Sequence, residues 1–329
     1  MTLPTSLQRR NLLLAAAGAL AAPAYAQGAR FPQHAVRIVT PFPVGSGPEG
    51  VARLAADKLA RAWAQPVTVE NKPGGNGFIA IDAFRRGAND GHDLIQLDNV
   101  HLTAYPHLFK RLPYDPARDF ELIAPLFKTY FFLCVAADSK YRSVADLIAD
   151  AKARPGRLSY GSWSVGNPAH LGAALFETVA GIDAQHVIYK ETSQLYTGVS
   201  NGELSFAFGT AATTGPLFRA GKLRYLAIAA PLRLPEFRDV PTFGEAGGPA
   251  GFEVSGWTAI AAPRGVPPAT AEKIRGDLLR ALVEPDTRAK FSAFGYAPFA
   301  ATPVEFREYI AAESSRLAAV IRKAGAQLD

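Results

Sequence analysis

Two short loops concentrate the residues best suited to holding a small anion. The first, Gly45-Ser46-Gly47-Pro48-Glu49-Gly50, is formally G-x-G-x-x-G. It follows a predicted strand and opens a predicted helix, and Glu70 stands 20 residues beyond Gly50 at the end of the next strand. That is the context of a dinucleotide fingerprint. The physical content is broader. Glycine lets backbone approach an anion, and a helix start aims N–H groups and the positive end of its dipole at it. A pyrophosphate, a carboxylate and a plain Gly-rich turn all satisfy the pattern, and Pro48 removes one N–H donor.

The second loop, Gly161-Ser162-Trp163-Ser164-Val165-Gly166-Asn167, also joins a strand to a helix. Ser162-Trp163-Ser164-Val165-Gly166 nearly matches a hydrolase nucleophile elbow, with Ser in place of the first Gly. A serine nucleophile needs a histidine base and an orienting acid. Only His170 and His186 follow Ser164, and neither fits the order in which α/β-hydrolases supply the base. The other use of such a loop is a nest of hydroxyl and N–H donors at a helix start. His170, in the first turn of that helix, reads as a residue holding the loop. His34, His92, His101 and His107 show no metal-ligand spacing, and Asp90-Gly91-His92-Asp93 reads as a turn. No metal and no cofactor are expected.

These loops need a scaffold. Val36 to Thr40 is a β-branched run closed by Pro41. Residues 49–64 put Val51, Leu54, Ala55, Leu59 and Trp63 on one helical face, with Arg53, Asp57 and Arg61 opposite. Val67 to Glu70 and Leu94 to Leu97 read as strands, with a helix over 78–86 between them. This βαβαβ opening predicts a parallel sheet covered by helices. The pattern restarts at the apolar strand Phe131 to Ala136. Ser143 and Asp146 form a capping box for a helix over 144–153. Strands follow at 158–160, 186–189, 204–208 and 223–230, with helices at 169–180 and 193–201. Pro231 to Gly256 reads as a connection and Trp257 to Ala262 as one more strand. Two helices close the chain, the last starting at Thr302-Pro303-Val304-Glu305 and stopping before Gly325.

The chain has 329 residues, 48% hydrophobic and 19% charged, a globular composition large enough for two lobes. Its single cysteine, Cys134, excludes an intrachain disulfide. Residues 1–26 read as an export signal: Arg9-Arg10, an apolar run from Leu12 to Ala22, and Ala24-Tyr25-Ala26 before a cleavage expected ahead of Gln27. The apolar run is short for a membrane span. Removing that segment lowers the formal charge from +6 to +4, spread along the chain, which gives no support to nucleic-acid binding. An exported protein with two anion-ready loops and no catalytic set fits a hinged binding protein.

At this point the sequence resembles the periplasmic receptors of tripartite tricarboxylate transporters, the Bordetella-type Bug receptors. The resemblance runs from about Phe31 to Gly325. It is carried by Val39-Thr40-Pro41-Phe42 with Ala52-Arg53; Val69-Glu70-Asn71-Lys72-Pro73-Gly74-Gly75-Asn76-Gly77; Leu112-Pro113-Tyr114-Asp115-Pro116 with Arg118-Asp119-Phe120; Gly166 with His170-Leu171; His186-Val187 with Tyr189-Lys190; Gly221-Lys222-Leu223-Arg224; and Asp239-Val240-Pro241-Thr242 with Glu245-Ala246-Gly247. It implies an α/β, two-lobed type II periplasmic binding protein fold, each lobe a mostly parallel sheet flanked by helices. Residues 27–125 and 231–329 would form lobe 1 and residues 126–230 lobe 2. It further implies a non-enzymatic, periplasmic, monomeric receptor that captures a small carboxylate and delivers it to membrane transporter subunits. The binding set expected is Phe42, Gly45, Ser46, Gly47, Glu49, Ser162, Trp163, Ser164, Gly166, Asn167, His170 and Thr210. Main-chain N–H groups around Ser46-Gly47 and Gly166-Asn167 would grip the carboxylate, since neither loop contains Lys or Arg. The sequence departs from the family at Gly45-Ser46, Glu49, Ser164, Asn167 and Glu191. A cleft-facing Glu49 would repel a second carboxylate and favour a monocarboxylate, an amino acid or an aromatic acid over a tricarboxylate, and Trp163 would add an apolar wall. The rival reading is an exported nucleotide-dependent oxidoreductase built on the Gly45–Gly50 loop and Glu70, with a serine hydrolase third.

Overall fold

Two mixed β-sheets, each flanked by helices, carry the chain. The computed structural model describes residues 31–189, 191–325 and 327–328; the expected export signal and its cleavage point lie outside them. The first part of the chain runs β1 (Val36–Thr40), α1 (Gly47–Trp63), β2 (Val67–Asn71), a 3-10 turn (Gly75–Gly77), α2 (Phe78–Arg85), β3 (Asp93–Asp98), three short helices α3 (Asn99–Thr103), α4 (Tyr105–Leu108) and α5 (Pro116–Asp119), then β4 (Phe120–Tyr130). The second part runs β5 (Phe132–Ala136), α6 (Val144–Ala153), β6 (Leu158–Ser162), α7 (Pro168–Ala180), β7 (Ala184–Ile188), α8 (Thr192–Ser200), β8 (Phe206–Gly209), α9 (Ala211–Arg219) and β9 (Leu223–Ile228). The chain then returns through β10 (Ser255–Pro263), α10 (Pro268–Leu282), α11 (Pro285–Phe294), β11 (Tyr296–Pro298) and α12 (Pro303–Ala324).

The first sheet has the order β11-β4-β10-β3-β1-β2 and the second β7-β6-β8-β5-β9. β1 pairs in parallel with β2 and β3, and β6 with β7 and β8. The strands that carry the chain between sheets and back pair antiparallel: β10 with β3 and β4, β11 with β4, and β5 with β8 and β9. The parallel pairing expected from the βαβ units therefore holds where those units lie, and the returning strands make both sheets mixed.

The boundary expected at 125/126 falls inside β4, which stays in the first sheet to Tyr130. The stretch expected to join lobe 1 from residue 231 instead packs on the second sheet. Phe243, Ala246, Phe252 and Val254 share a buried cluster with Leu133, Phe176, Phe206 and Phe208. The chain thus changes sheets at Tyr130–Phe131 and at Val254–Ser255, side by side, with Phe131 N–H donating to Val254 O at 3.1 Å.

Local sequence signals explain most elements. α1 buries Val51, Ala55, Leu59 and Trp63 and exposes Arg53, Asp57 and Arg61. Ser143 and Asp146 cap α6 reciprocally, and Thr302 and Glu305 do the same for α12, which ends on Gly325 at φ 59°. Several elements escaped the pattern, among them the short helices α3, α4 and α5, the short strand β11, and three longer ones. β4 contains Pro125, which cannot donate to a ladder; it sits at an irregularity where Thr258 pairs with Phe127 but Ala259 with Pro125. α9 contains Gly215-Pro216, which reads as a turn. The carboxyl-terminal region holds three helices where two were expected, because α11 begins at a proline that also reads as a break.

Candidate functional site

In each sheet two parallel neighbours lead to helices on opposite sides of the strand order, and such a switch point leaves a crevice at the carboxyl ends of the strands. In the first sheet it lies between β1 and β3, and in the second between β6 and β8. The segments leaving those four strands are Pro41–Ser46 into α1, Asp98 into α3, Trp163–Asn167 into α7, and Thr210 into α9. All twelve expected binding residues lie on or next to three of these four segments. The fourth was missed. Asp98 ends β3 and precedes Asn99-Val100-His101, a helix-start signal that could have drawn attention to it.

A buried polar chain sets the position of α1. Thr40 Oγ1 donates to Gln96 Oε1 at 2.7 Å, and Gln96 Nε2 donates to Pro48 O at 3.0 Å and Thr258 Oγ1 at 3.3 Å. Asn71 Nδ2 donates to Phe42 O at 2.9 Å, holding the loop from the β2 side. Ser46 is the N-cap residue, yet its side chain makes no capping bond, and its buried Oγ has no hydrogen-bond partner among the described residues. Ser46 N–H donates to Pro43 O at 3.2 Å, and Gly45 N–H to Glu49 at 3.2 Å. The Gly47 N–H has no partner among the described residues. Gly47 is required for another reason: a Cβ there would lie 2.1 Å from the Tyr296 hydroxyl.

Glu49 is turned into its own loop and is almost fully buried. Its carboxylate pairs with Arg53 and accepts from Gly45 N–H. Burial raises its pKa, but the Arg53 bond, the Gly45 N–H and Asn71 outweigh that and hold it below the ordinary glutamate value. The repulsion expected of a cleft-facing Glu49 is corrected accordingly, since Arg53 balances its charge. Glu70 is likewise occupied, by Arg37 at 2.8 Å and Lys72 at 2.9 Å. It is not left to hold a ribose, which removes the acid on which the nucleotide reading relied.

The second loop satisfies itself. Asn167 Oδ1 accepts from Ala169 N–H at 2.8 Å and His170 N–H at 3.1 Å, capping α7. Its Nδ2 donates to Ser162 Oγ at 3.0 Å and to Ser164 O. Gly166, at φ +82°, donates to His170 Nδ1 at 3.1 Å. Burial pushes the His170 pKa down to about 4, and the neighbouring His186 adds to that, so the ring is neutral with its proton on Nε2. Of the N–H donors expected to grip a carboxylate, Ser46 and Gly166 are therefore engaged within their loops, while Gly47 and Asn167 are not. Trp163 is half-buried against the Phe206 and Leu195 clusters. A Cβ on Gly166 would meet Leu108 at 2.6 Å, so this glycine lets the loop close against α4.

The histidine that meets a serine is not the one a nucleophile elbow needs. His186 Nε2 lies 2.7 Å from Ser162 Oγ, which is fully buried and shared with Asn167 and Ser164 O. Ser164 Oγ contacts Asn167 Nδ2 at 3.5 Å. Thr210 starts α9, its N–H donating to Thr213 Oγ1 at 3.1 Å. At the fourth segment, Asp98 N–H donates to His101 Nδ1 at 3.1 Å, and His101 Nε2 lies 3.0 Å from Asn76 O. Burial pushes Asp98 up to about 7, with Glu313 adding to it against the Asn99 and Val100 N–H groups, and pushes His101 down to about 4.

Comparison with known proteins bears on what such a crevice serves. The family model described as the tripartite tricarboxylate transporter family receptor matches residues 51–326. Protein BugT of Bordetella pertussis is 31% identical over 319 residues, covering 97% of this chain and 97% of BugT. Among solved structures, an R. palustris protein with adipate superposes with a TM-score of 0.80 at 30% identity, over 91% of this chain and 100% of that one. MatC of Rhodopseudomonas palustris with bound malate gives 0.76 at 28% identity, over 88% and 100%.

Proposed function

Because this chain belongs to the tripartite tricarboxylate transporter receptor family, we propose that it is a periplasmic receptor that captures a small carboxylate between two lobes and delivers it to membrane transporter subunits. Of the described residues, the first lobe comprises 31–130 together with those from 255 to 328, and the second those from 131 to 254. The paired crossings at Tyr130–Phe131 and Val254–Ser255 act as the hinge. The chain reaches the periplasm through residues 1–26, with cleavage before Gln27.

The observation that carries this reading is the uncapped start of α1. A helix start offers several unpartnered donors and about half a positive charge. Here the Gly47 N–H and the buried Ser46 Oγ lie at the β1/β3 switch point without a partner among the described residues. One ligand carboxylate docks there, while the α7 loop, with Asn167 N–H and Thr210 nearby at its own switch point, forms the opposite wall. A hydrogen bond to a charged group contributes roughly 1.5–3 kcal/mol, so two or three such bonds contribute about 3–9 kcal/mol toward binding without a Lys or Arg. With Glu49 neutralised by Arg53, nothing in the first loop disfavours a second carboxylate. The dicarboxylates bound by the two R. palustris proteins support extending the ligand class to them.

The test is a thermal-shift screen of mono- and dicarboxylates, adipate and malate included, on the purified protein. At a hundredfold excess over Kd a ligand is expected to raise Tm by roughly 5 °C, with small-angle scattering showing contraction. A protein that no carboxylate stabilises, and that carries the ultraviolet absorbance of an adenine nucleotide, would revive the oxidoreductase reading instead.

A further inference from the structure

At the opposite end of the first sheet, the amino ends of β1 and β3, three side chains from distant parts of the sequence meet. The parallel register sets Arg37 opposite Asp93, and His34 and Asp90 each precede these residues by three positions, in the segments entering the two strands. Arg37 N–H donating to His92 O at 2.8 Å fixes that pairing. The His34 and His92 rings stack with centroids 3.7 Å apart. His92 Nδ1 lies 3.0 Å from Asp90 Oδ1. One donor atom from each of His34, Asp90 and His92 lies within 4.8 Å of the others.

We propose that His34, Asp90 and His92 form a binding site for one divalent first-row transition-metal ion such as Zn²⁺. Two imidazoles and one carboxylate are a ligand set for zinc and its neighbours, with water completing the shell. Metal–nitrogen and metal–oxygen bonds of about 2.0–2.2 Å put donors on a tetrahedral ion roughly 3.3–3.6 Å apart. The Asp90–His92 spacing is already close to that, and His34 is exposed, so its ring can turn to close the remaining gap. His34 Nδ1 lies 3.2 Å from Ala35 O. A carbonyl there holds the Nδ1 proton and leaves Nε2 as the donor, the arrangement that outer partners impose on metal-bound histidine. The neighbouring Asp93 does not compete, because it pairs with Arg37 and accepts from Ala88 N–H. The site lies at the far end of the strands from the switch-point loops. It joins the segment entering β1 to the turn entering β3, and its role is to fasten that end of the sheet, independently of carboxylate capture.

The experiment is calorimetric titration of ZnCl₂ into chelator-dialysed protein carrying no histidine tag. The variants are chosen to keep the local fold. His34→Phe retains a ring to stack on His92. Asp90→Asn retains the Oδ1 that accepts from His92 N–H at 3.0 Å. His107→Ala, at an exposed histidine bonded to Ser314, is the control. One Zn²⁺ per chain is expected, weakened at least tenfold in His34→Phe and in Asp90→Asn and unchanged in His107→Ala. Wild-type Tm should rise by roughly 5 °C at a hundredfold excess of Zn²⁺ over Kd. The visible spectrum of the wild-type Co²⁺ adduct gives a readout that depends on neither variant's stability, and imidazole ligation is expected there. No binding tighter than millimolar, equal binding by both variants and wild type, loss of binding in His107→Ala, or a Co²⁺ adduct without imidazole ligation would each overturn the site.

Discussion

At the start of α7 the Asn167 side chain accepts from two first-turn N–H groups and donates to two further groups in its own loop, whereas at the start of α1 Ser46 makes no capping bond. Both are Gly- and Ser-rich turns from a parallel strand into a helix, and both lack a cationic side chain. The α7 turn is closed by an internal network that also takes in Ser162, Gly166, His170 and His186. The α1 turn is held from outside, by Gln96 on Pro48 O and Asn71 on Phe42 O, and its Gly47 N–H and Ser46 hydroxyl take no partner among the described residues. Two loops of similar composition can therefore divide the work of a binding site. In the proposed function one supplies donors and the other supplies a rigid wall.

Acid should separate them most. The folded-state His170 pKa lies below the unfolded value, about 4 against 6.5, so between those values the unfolded chain binds more protons. The contribution is present above pH 6.5 and is lost as pH falls toward 4. By pH 4.5 the loss amounts to roughly 2–3 kcal/mol. Chemical denaturation at pH 7 and 4.5 should show His170→Gln losing less stability on acidification than the wild type, by about that amount. Equal losses would mean that the α7 network does not depend on a neutral His170.

A smaller effect is expected at the cap. Asn167→Ala removes two accepted bonds at the start of α7, and should lower stability by about 1–2 kcal/mol at pH 7. Asn167→Asp keeps the acceptors but replaces the Nδ2 donor that faces Ser164 O with an oxygen, so it should recover only part of that loss in the same denaturation measurement. If Asn167→Ala instead left stability unchanged and abolished ligand binding, the two loops would have the reverse of the roles assigned to them.

The smallest effect distinguishes the first loop. Ser46→Ala removes no capping bond and should leave Tm within experimental error. It should still weaken carboxylate binding by about fivefold, the equivalent of roughly 1 kcal/mol, when measured by calorimetry. Unchanged affinity would take the Ser46 hydroxyl out of the ligand's contacts.

The elements that were legible in the sequence carry their signals within a few consecutive residues. The Ser143–Asp146 and Thr302–Glu305 caps, the Gly325 stop and the β-branched run of β1 are of this kind, because capping and strand alternation act over one turn or one strand. The same locality located the two loops at strand-to-helix turns. No strand was expected over β4 and no helix over α9; the local preference of Pro125 is overridden there by a ladder irregularity and that of Gly215-Pro216 by the surrounding helix.

The sequence by itself determined that two Gly- and Ser-rich turns lead from strands into helices, and that no Lys or Arg stands within them. It could not determine where a side chain with several possible partners would point. Glu49 faces Arg53 and Gly45 rather than the crevice, Glu70 is held by Arg37 from a neighbouring strand, and Asp98 is buried near Glu313 from the last helix. His34 meets Asp90 and His92 only because the two strands that these segments enter, β1 and β3, lie side by side. Tertiary structure decided each of these, because the partner lies far away in the chain or competes with others nearby. A charged group's orientation follows from which pairing best offsets its desolvation, a quantity fixed only once the sheets and helices have packed.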